Sequence, residues 1–149
     1  MKRMSILMLL VVWDCNAQTD APTSQQTFIE AYRSAYEGGR REELLRLVKW
    51  NGVPDDLRRT QEIMYSWFLG KHKIVSIELV PFKLGPGDTQ EVDGRPTELN
   101  LDAKYWLLVD HEGNEGYEDS KSSGSIKAPV GIEGGAFFIC GTKWADNQQ

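Results

Sequence analysis

Between Thr97 and Asp110 the side chains alternate without interruption. Leu99, Leu101, Ala103, Tyr105, Leu107 and Val109 fall on one phase, and Glu98, Asn100, Asp102, Lys104, Trp106 and Leu108 on the other. A period of two is the signature of a strand with one face buried. At roughly 3.3 Å per residue such a segment would extend about 46 Å, more than twice an ordinary strand. A chain of 149 residues is the size of one domain and cannot hold that length straight, so the strand must bend or bulge. A bent antiparallel sheet needs cover on its apolar face, and the preceding residues supply helices.

Thr23 or Ser24 can cap a helix running through Tyr36, with Phe28, Ile29, Tyr32, Ala35 and Tyr36 on one face and Gly38-Gly39 ending it. A second short helix over 40–50 presents Leu44, Leu45, Leu47 and Val48, and stops at Asn51-Gly52. Pro54 opens a third, with Asp55 and Asp56 at its positive end, Leu57, Met64, Trp67 and Phe68 directed inward, and Gly70 ending it. From Lys73 to Lys83 the period shortens to two, with Val75, Ile77 and Leu79 opposite Ser76 and Glu78. Val92-Asp93-Gly94-Arg95 predicts a tight turn before the long strand. A closing hairpin runs over 125–132, turns at Glu133-Gly134 and returns over 135–144. Helices first and strands after give an α+β fold: three N-terminal helices packed on a strongly curved antiparallel sheet.

The N-terminus carries an address. Lys2 and Arg3 precede the apolar run from Met4 to Trp13, too short for the roughly 20 residues of a membrane span. Cys15 and Ala17 then place small residues ahead of a cleavage point before Gln18. Residues 1–17 therefore predict a secretory signal, 18–26 a polar leader, 27–144 the domain and 145–149 a polar tail, in an extracytoplasmic (periplasmic or secreted) protein. A lipoprotein signal with Cys15 acylated is the competing reading. Val12, Trp13 and Asp14 stand where such signals carry Leu and small residues. The formal charge is −5, one unit more acidic once Lys2, Arg3 and Asp14 leave with the signal. An acidic chain without a basic stripe is a poor nucleic-acid binder and has no attraction to an anionic membrane, so membrane contact is expected only if Cys15 is lipidated. After cleavage only Cys140 is left, and no intramolecular disulfide can form.

Residues that carry chemistry are few. His72 and His111 lie at element boundaries and read as surface histidines, and no G-x-S-x-G motif accompanies them. Three widely spaced His and Cys residues in the mature chain exclude structural zinc. The segment 110–119 has oxygen ligands at alternate positions in Asp110, Glu112 and Asn114. Its glycines are misplaced for a calcium loop and Lys121 stands where a bidentate Glu is needed, so a solvated acidic loop is expected. Cys140, among Ile139, Gly141 and apolar neighbours, reads as a buried, inert thiol.

TFIEAYRSAYEGGRREELLRLVKWNGVPDDLR, IVSIELVPF and APVGIEGGAFFICGTKW together resemble the cystatin-like, nuclear transport factor two-like superfamily, and more narrowly exported bacterial proteins of unassigned function. The resemblance spans 24–144 and implies a conical α+β fold. That superfamily includes isomerases, dehydratases, cyclases and non-catalytic binding modules, so the fold leaves function open. Its enzymes project an Asp or His with Tyr partners into the cone. Here the inward residues able to line such a pocket are Tyr32, Tyr36, Gln61, Tyr65 and Tyr105, with no carboxylate or imidazole among them and hence no catalytic residue. The expectation is a non-catalytic binding or interaction module needing no cofactor and no metal. The alternatives are a small-molecule isomerase, hydratase or cyclase, and an inhibitor of an extracytoplasmic hydrolase, for which no Gln-x-Val-x-Gly loop is present. Ile74, Val80, Phe82, Trp106 and Leu108 fall on the sheet face opposite the core and predict a contact surface, most simply a homodimer.

Overall fold

The structure, a computed structural model, describes residues 21–88, 90–114 and 121–145. The expected signal, most of the expected polar leader, the end of the acidic 110–119 segment and the last four residues lie outside these.

Helix α1 (Gln25–Glu37) begins at Ser24, whose hydroxyl accepts from the Thr27 amide at 3.1 Å while the Thr27 hydroxyl accepts from the Ser24 amide. Phe28, Tyr32, Ala35 and Tyr36 form its buried face. Helix α2 (Arg41–Arg46) is shorter than its apolar pattern suggests. Its last turn ends at Leu47, and Val48 continues as a parallel bridge to Ile139. Helix α3 (Asp55–Ser66) starts after Pro54 and buries Leu57, Gln61 and Tyr65. The expected inward face is therefore corrected. Met64 and Trp67 are 50% and 67% exposed, because the buried stripe follows the i, i+4, i+8 row of Leu57, Gln61 and Tyr65. The ends of α1 and α3 cross at two glycines, where a Cβ on Gly70 would lie 3.1 Å from the Gly39 Cα.

The strands form two antiparallel sheets. The larger has β1 (His72–Pro81), β4 (Ala103–Asn114), β5 (Lys121–Glu133) and β6 (Ala136–Ile139), in the order β1-β4-β5-β6. The smaller has β2 (Glu91–Val92), β3 (Arg95–Leu99) and β7 (Thr142–Trp144), in the order β2-β3-β7. The alternating run of 97–110 is thus two strands, interrupted at 100–102. The closing strand breaks likewise at Cys140-Gly141, and the two breaks are joined by the Asn100 amide donating to the Gly141 carbonyl at 3.0 Å. The expected turn after Val92 is present, with Asp93 and Gly94 both at positive φ (52° and 75°), the geometry of a two-residue hairpin. The second hairpin turns on Gly134-Gly135.

The core lies between α1, α2 and one face of the larger sheet. Leu107 pairs with Leu79 and Ala128, and Val109 with Ile77 and Ile126, on that face. In β1 Ile77 and Leu79 keep the expected phase, but a register shift between Ile74 and Ser76 reverses it at the start of the strand. The bulge expels Val75, 59% exposed, and turns Ile74 into the core. Ile74 is therefore not on the outer face where an interface was expected. Val80, Phe82, Trp106 and Leu108 are partly buried, and Trp106 is paired across the ladders with Val80 and Pro129.

Candidate functional site

Two places concentrate polar and aromatic groups. The first is a cleft of about 370 Å³ between α3, the smaller sheet and the Trp106 face of the larger sheet. The chain after β1 builds one wall. A tight turn at Gly85–Asp88, closed by the Gly85 amide donating to Asp88 Oδ2 at 2.7 Å, folds the segment back across the sheet. Trp106 Nε1 donates to the Lys83 carbonyl at 2.9 Å, and the Phe82 and Trp106 rings lie 4.8 Å apart. Lys127 sits 4.3 Å above the Trp106 ring and pairs with Asp88 at 2.7 Å. The Asp88 carboxyl is held below its usual range by hydrogen bonds from Lys127 and the Gly85 amide.

Opposite, α3 contributes Leu57, Gln61, Met64 and Tyr65. Gln61 Nε2 donates to Thr142 Oγ1 at 2.8 Å, tying the helix to β7. Met64 and Leu84, each about half exposed, stand at the mouth. Cys140 lies at the base, buried, and burial pushes its thiol up to about 12. It is protonated at neutral pH and is no nucleophile there.

Of the residues expected to line a pocket inside the cone, Gln61 and Tyr65 line this cleft on the other side. Tyr32 and Tyr36 instead stack 5.9 Å apart in the filled core, and Tyr105 stacks on Phe137 at 6.0 Å. The space between the helices and the apolar sheet face is occupied by these rings. The cleft opens on the other side, where the chain partly covers its own apolar groups.

The second place is a buried polar relay, and it corrects the surface reading of both histidines. His72 on β1 and His111 on β4 are 1% and 4% exposed. Their Nδ1 atoms face each other at 2.8 Å, and His72 Nε2 lies 2.9 Å from the Ser122 hydroxyl on β5. Phe68 stacks on His72 at 4.1 Å, and Tyr36 tilts against His111 at 5.7 Å. Glycines make the room: a Cβ on Gly113 would lie 2.6 Å from His72, and one on Gly124 2.7 Å from His111.

The facing nitrogens share one proton, one ring donating and the other accepting. Burial first, then His72, holds His111 below its ordinary pKa, against the opposing pull of Asp110. Two nitrogens on one tetrahedral zinc would be about 3.3 Å apart, given bonds of roughly 2.0 Å, so this spacing is that of a hydrogen bond. No group of three or more potential metal ligands occurs among the described residues. Asp110, Glu112 and Asn114 lie along β4, with Asp110 accepting from Ser76 at 3.0 Å and from Ser125. Beside the relay is an open cavity of about 530 Å³ lined by Lys71, Lys73, Glu112, Gly113, Asn114, Lys121, Ser122 and Ser123.

The relay had a readable signal: His111 continues the phase of Tyr105, Leu107 and Val109, and a strand carried two residues further buries it. Ser122 had none, since its partner is 50 residues away. No protein-family model, curated protein or solved structure matches this chain.

Proposed function

We propose that the protein is an exported binding or interaction module of cystatin-like architecture, whose cleft receives an apolar ligand of small-molecule size. One observation carries this reading: the cleft's walls are largely apolar, and the charges at its edge other than Glu91 are already paired. Leu57, Met64, Phe82, Leu84 and Trp106 offer ring and chain contacts, whereas Asp88 is paired with Lys127, and Glu98 with Lys143 at 3.2 Å. A volume of about 370 Å³ falls in the ordinary range of ligand sites, which are mostly apolar with a few placed polar groups. Helices ahead of a bulged antiparallel sheet support the cystatin-like reading. Asp88, held low at the cleft by Lys127 and the Gly85 amide, is a weak base and carries no proton-transfer role in this reading.

The test is titration with an anilinonaphthalene dye under native conditions. Saturable binding near one dye per chain is expected, weakened by Met64→Glu and Leu84→Glu, both at the exposed mouth. Absence of saturable binding, or binding indifferent to both changes, overturns the reading. Export is tested by fractionation and N-terminal sequencing, with a mature start at or near Gln18 expected. Met1 retained in cytosol refutes it.

A further inference from the structure

We propose that the protein self-associates through the edge of β1, two copies pairing antiparallel about a two-fold axis between Val75 and Ser76. This surface is separate from the cleft and from the outer sheet face, and the proposal does not rest on the binding reading. The larger sheet ends on β1 at one side and on β6 at the other. The β6 edge is closed: the Phe137 amide donates to the Pro22 carbonyl at 2.8 Å and the Ile139 amide to the Leu47 carbonyl at 2.7 Å. The described end of the leader therefore runs along β6, across the sheet from β1. On β1, the Phe82 amide donates to the Lys104 carbonyl at 3.0 Å, which fixes the backbone groups that face β4. By alternation along β4 these belong to Lys73, Ser76, Glu78 and Val80, so those of Ile74, Ile77 and Leu79 point out of the sheet. Among the described residues these outward amides have no partner. Such an edge is a template for another strand.

The bulge decides which strand. It makes the faces of β1 mirror one another about the midpoint: inward at His72 and Ile74, outward at Lys73, Val75, Ser76 and Glu78, inward again at Ile77 and Leu79. A regular strand laid on this edge matches its faces on one side of the bulge and reverses them on the other. A second copy of β1, run antiparallel, reverses phase at the same place. Ile74 then opposes Ile77 of the second copy, and the two exchange their outward amides and carbonyls. Beyond them Leu79 donates to the His72 carbonyl of the second copy; the His72 amide is already engaged by Phe68. Lys73 opposes Glu78 of the second copy at both ends, in the non-hydrogen-bonded positions where side chains lie closest. Neither has an ion-pair partner among the described residues. Val75, 59% exposed in the single chain, meets its own counterpart beside the axis. A bulge and charges that guard an edge against strands in general thus admit a second copy of this one.

An edge pairing is a small interface, so association in the micromolar range is expected. Sedimentation equilibrium on the full chain should give a dimer at high micromolar concentration. Lys73→Glu and Glu78→Lys each set like charges opposite one another at both ends, and each should weaken dimerisation at least about tenfold. Mixed in equal amounts, the two variants regain both opposite-charge pairs and should associate with each other as tightly as wild type does with itself. Both positions are exposed, and circular dichroism checks that the fold is kept. The register is read by cross-linking: Lys73→Cys mixed with Glu78→Cys should form a disulfide-linked dimer on mild oxidation, far faster than either variant alone. A wild-type monomer at high micromolar concentration, a dimer indifferent to both reversals, reversals that fail to complement, or cross-linking no faster in the mixture overturns the proposal.

Discussion

The Tyr32 hydroxyl is buried with no hydrogen-bond partner among the described residues, and burial raises its pKa further above the ordinary tyrosine value. An orphaned polar atom of this kind carries a desolvation penalty of about 1–3 kcal/mol. Tyr32→Phe keeps the ring that stacks on Tyr36 and removes only the oxygen. Its midpoint in a urea titration should therefore be unchanged or higher than wild type; a clear loss would mean that the hydroxyl has a partner. His111 shows the opposite economy, a polar group whose neutral form the fold favours. The unfolded chain titrates this histidine near about 6.5, while the fold holds it lower. Below that pH the unfolded state binds the proton first. Stability is thus full above it, falls with acid, and levels off beneath the folded-state value. Urea midpoints should drop between about pH 7.5 and pH 5, and drop less in His111→Asn, which has no titrating ring.

On α3, neighbouring positions divide sharply between core and solvent. Tyr65 is buried while Met64 beside it is half exposed, and Trp67 two residues on is the most exposed large apolar side chain described. Tyr65→Ala should cost about 3–5 kcal/mol as a core truncation, while Trp67→Gln should lie within about 0.5 kcal/mol of wild type. Equal losses in thermal or urea unfolding would mean that the helix is turned differently. The helix itself was legible in the sequence, but its rotation was not. Gln61 interrupts the apolar stripe, and its burial depends on Thr142, 81 residues away. The β1 bulge has the same character. A one-residue slip exchanges Ile74 with Val75, and nothing within Lys-Ile-Val-Ser-Ile distinguishes the bulged from the regular strand. Local pattern identified α1, with its cap narrowed to Thr23 or Ser24 and its four buried residues among the five expected, and the Asp93-Gly94 turn, because both are decided within a few residues. The cleft is assembled from α3, the turn after β1 and five strands, so only Gln61 and Tyr65 of its lining were expected as pocket residues.

At the scale of the whole molecule, the two sheets diverge at one level, and Asn100 holds the divergence together. Its Nδ2 donates to the carbonyls of Lys49 at 2.8 Å and Asn51 at 2.9 Å, while its Oδ1 accepts from the Gly141 amide at 2.8 Å. One side chain therefore joins the break between β3 and β4, the break between β6 and β7, and the connection from α2 to α3. Gly141 is shaped for this meeting, since a Cβ there would collide with the Lys49 carbonyl and lie 2.7 Å from Asn100 Nδ2. Removing the amide leaves a partly buried donor and two acceptors without this partner, an effect of about 1–3 kcal/mol for each group left unsatisfied. Asn100→Asp is the sharper test, because it is nearly isosteric and retains the acceptor for Gly141 while replacing the donor with a second oxygen facing two carbonyls. It should lower the urea midpoint at neutral pH and recover part of the loss as acid protonates the carboxyl. The small sheet forms the far wall of the cleft, so Asn100→Asp should also weaken dye binding without touching the lining. Undiminished stability and binding in Asn100→Asp would show that the sheets are held together without this bridge.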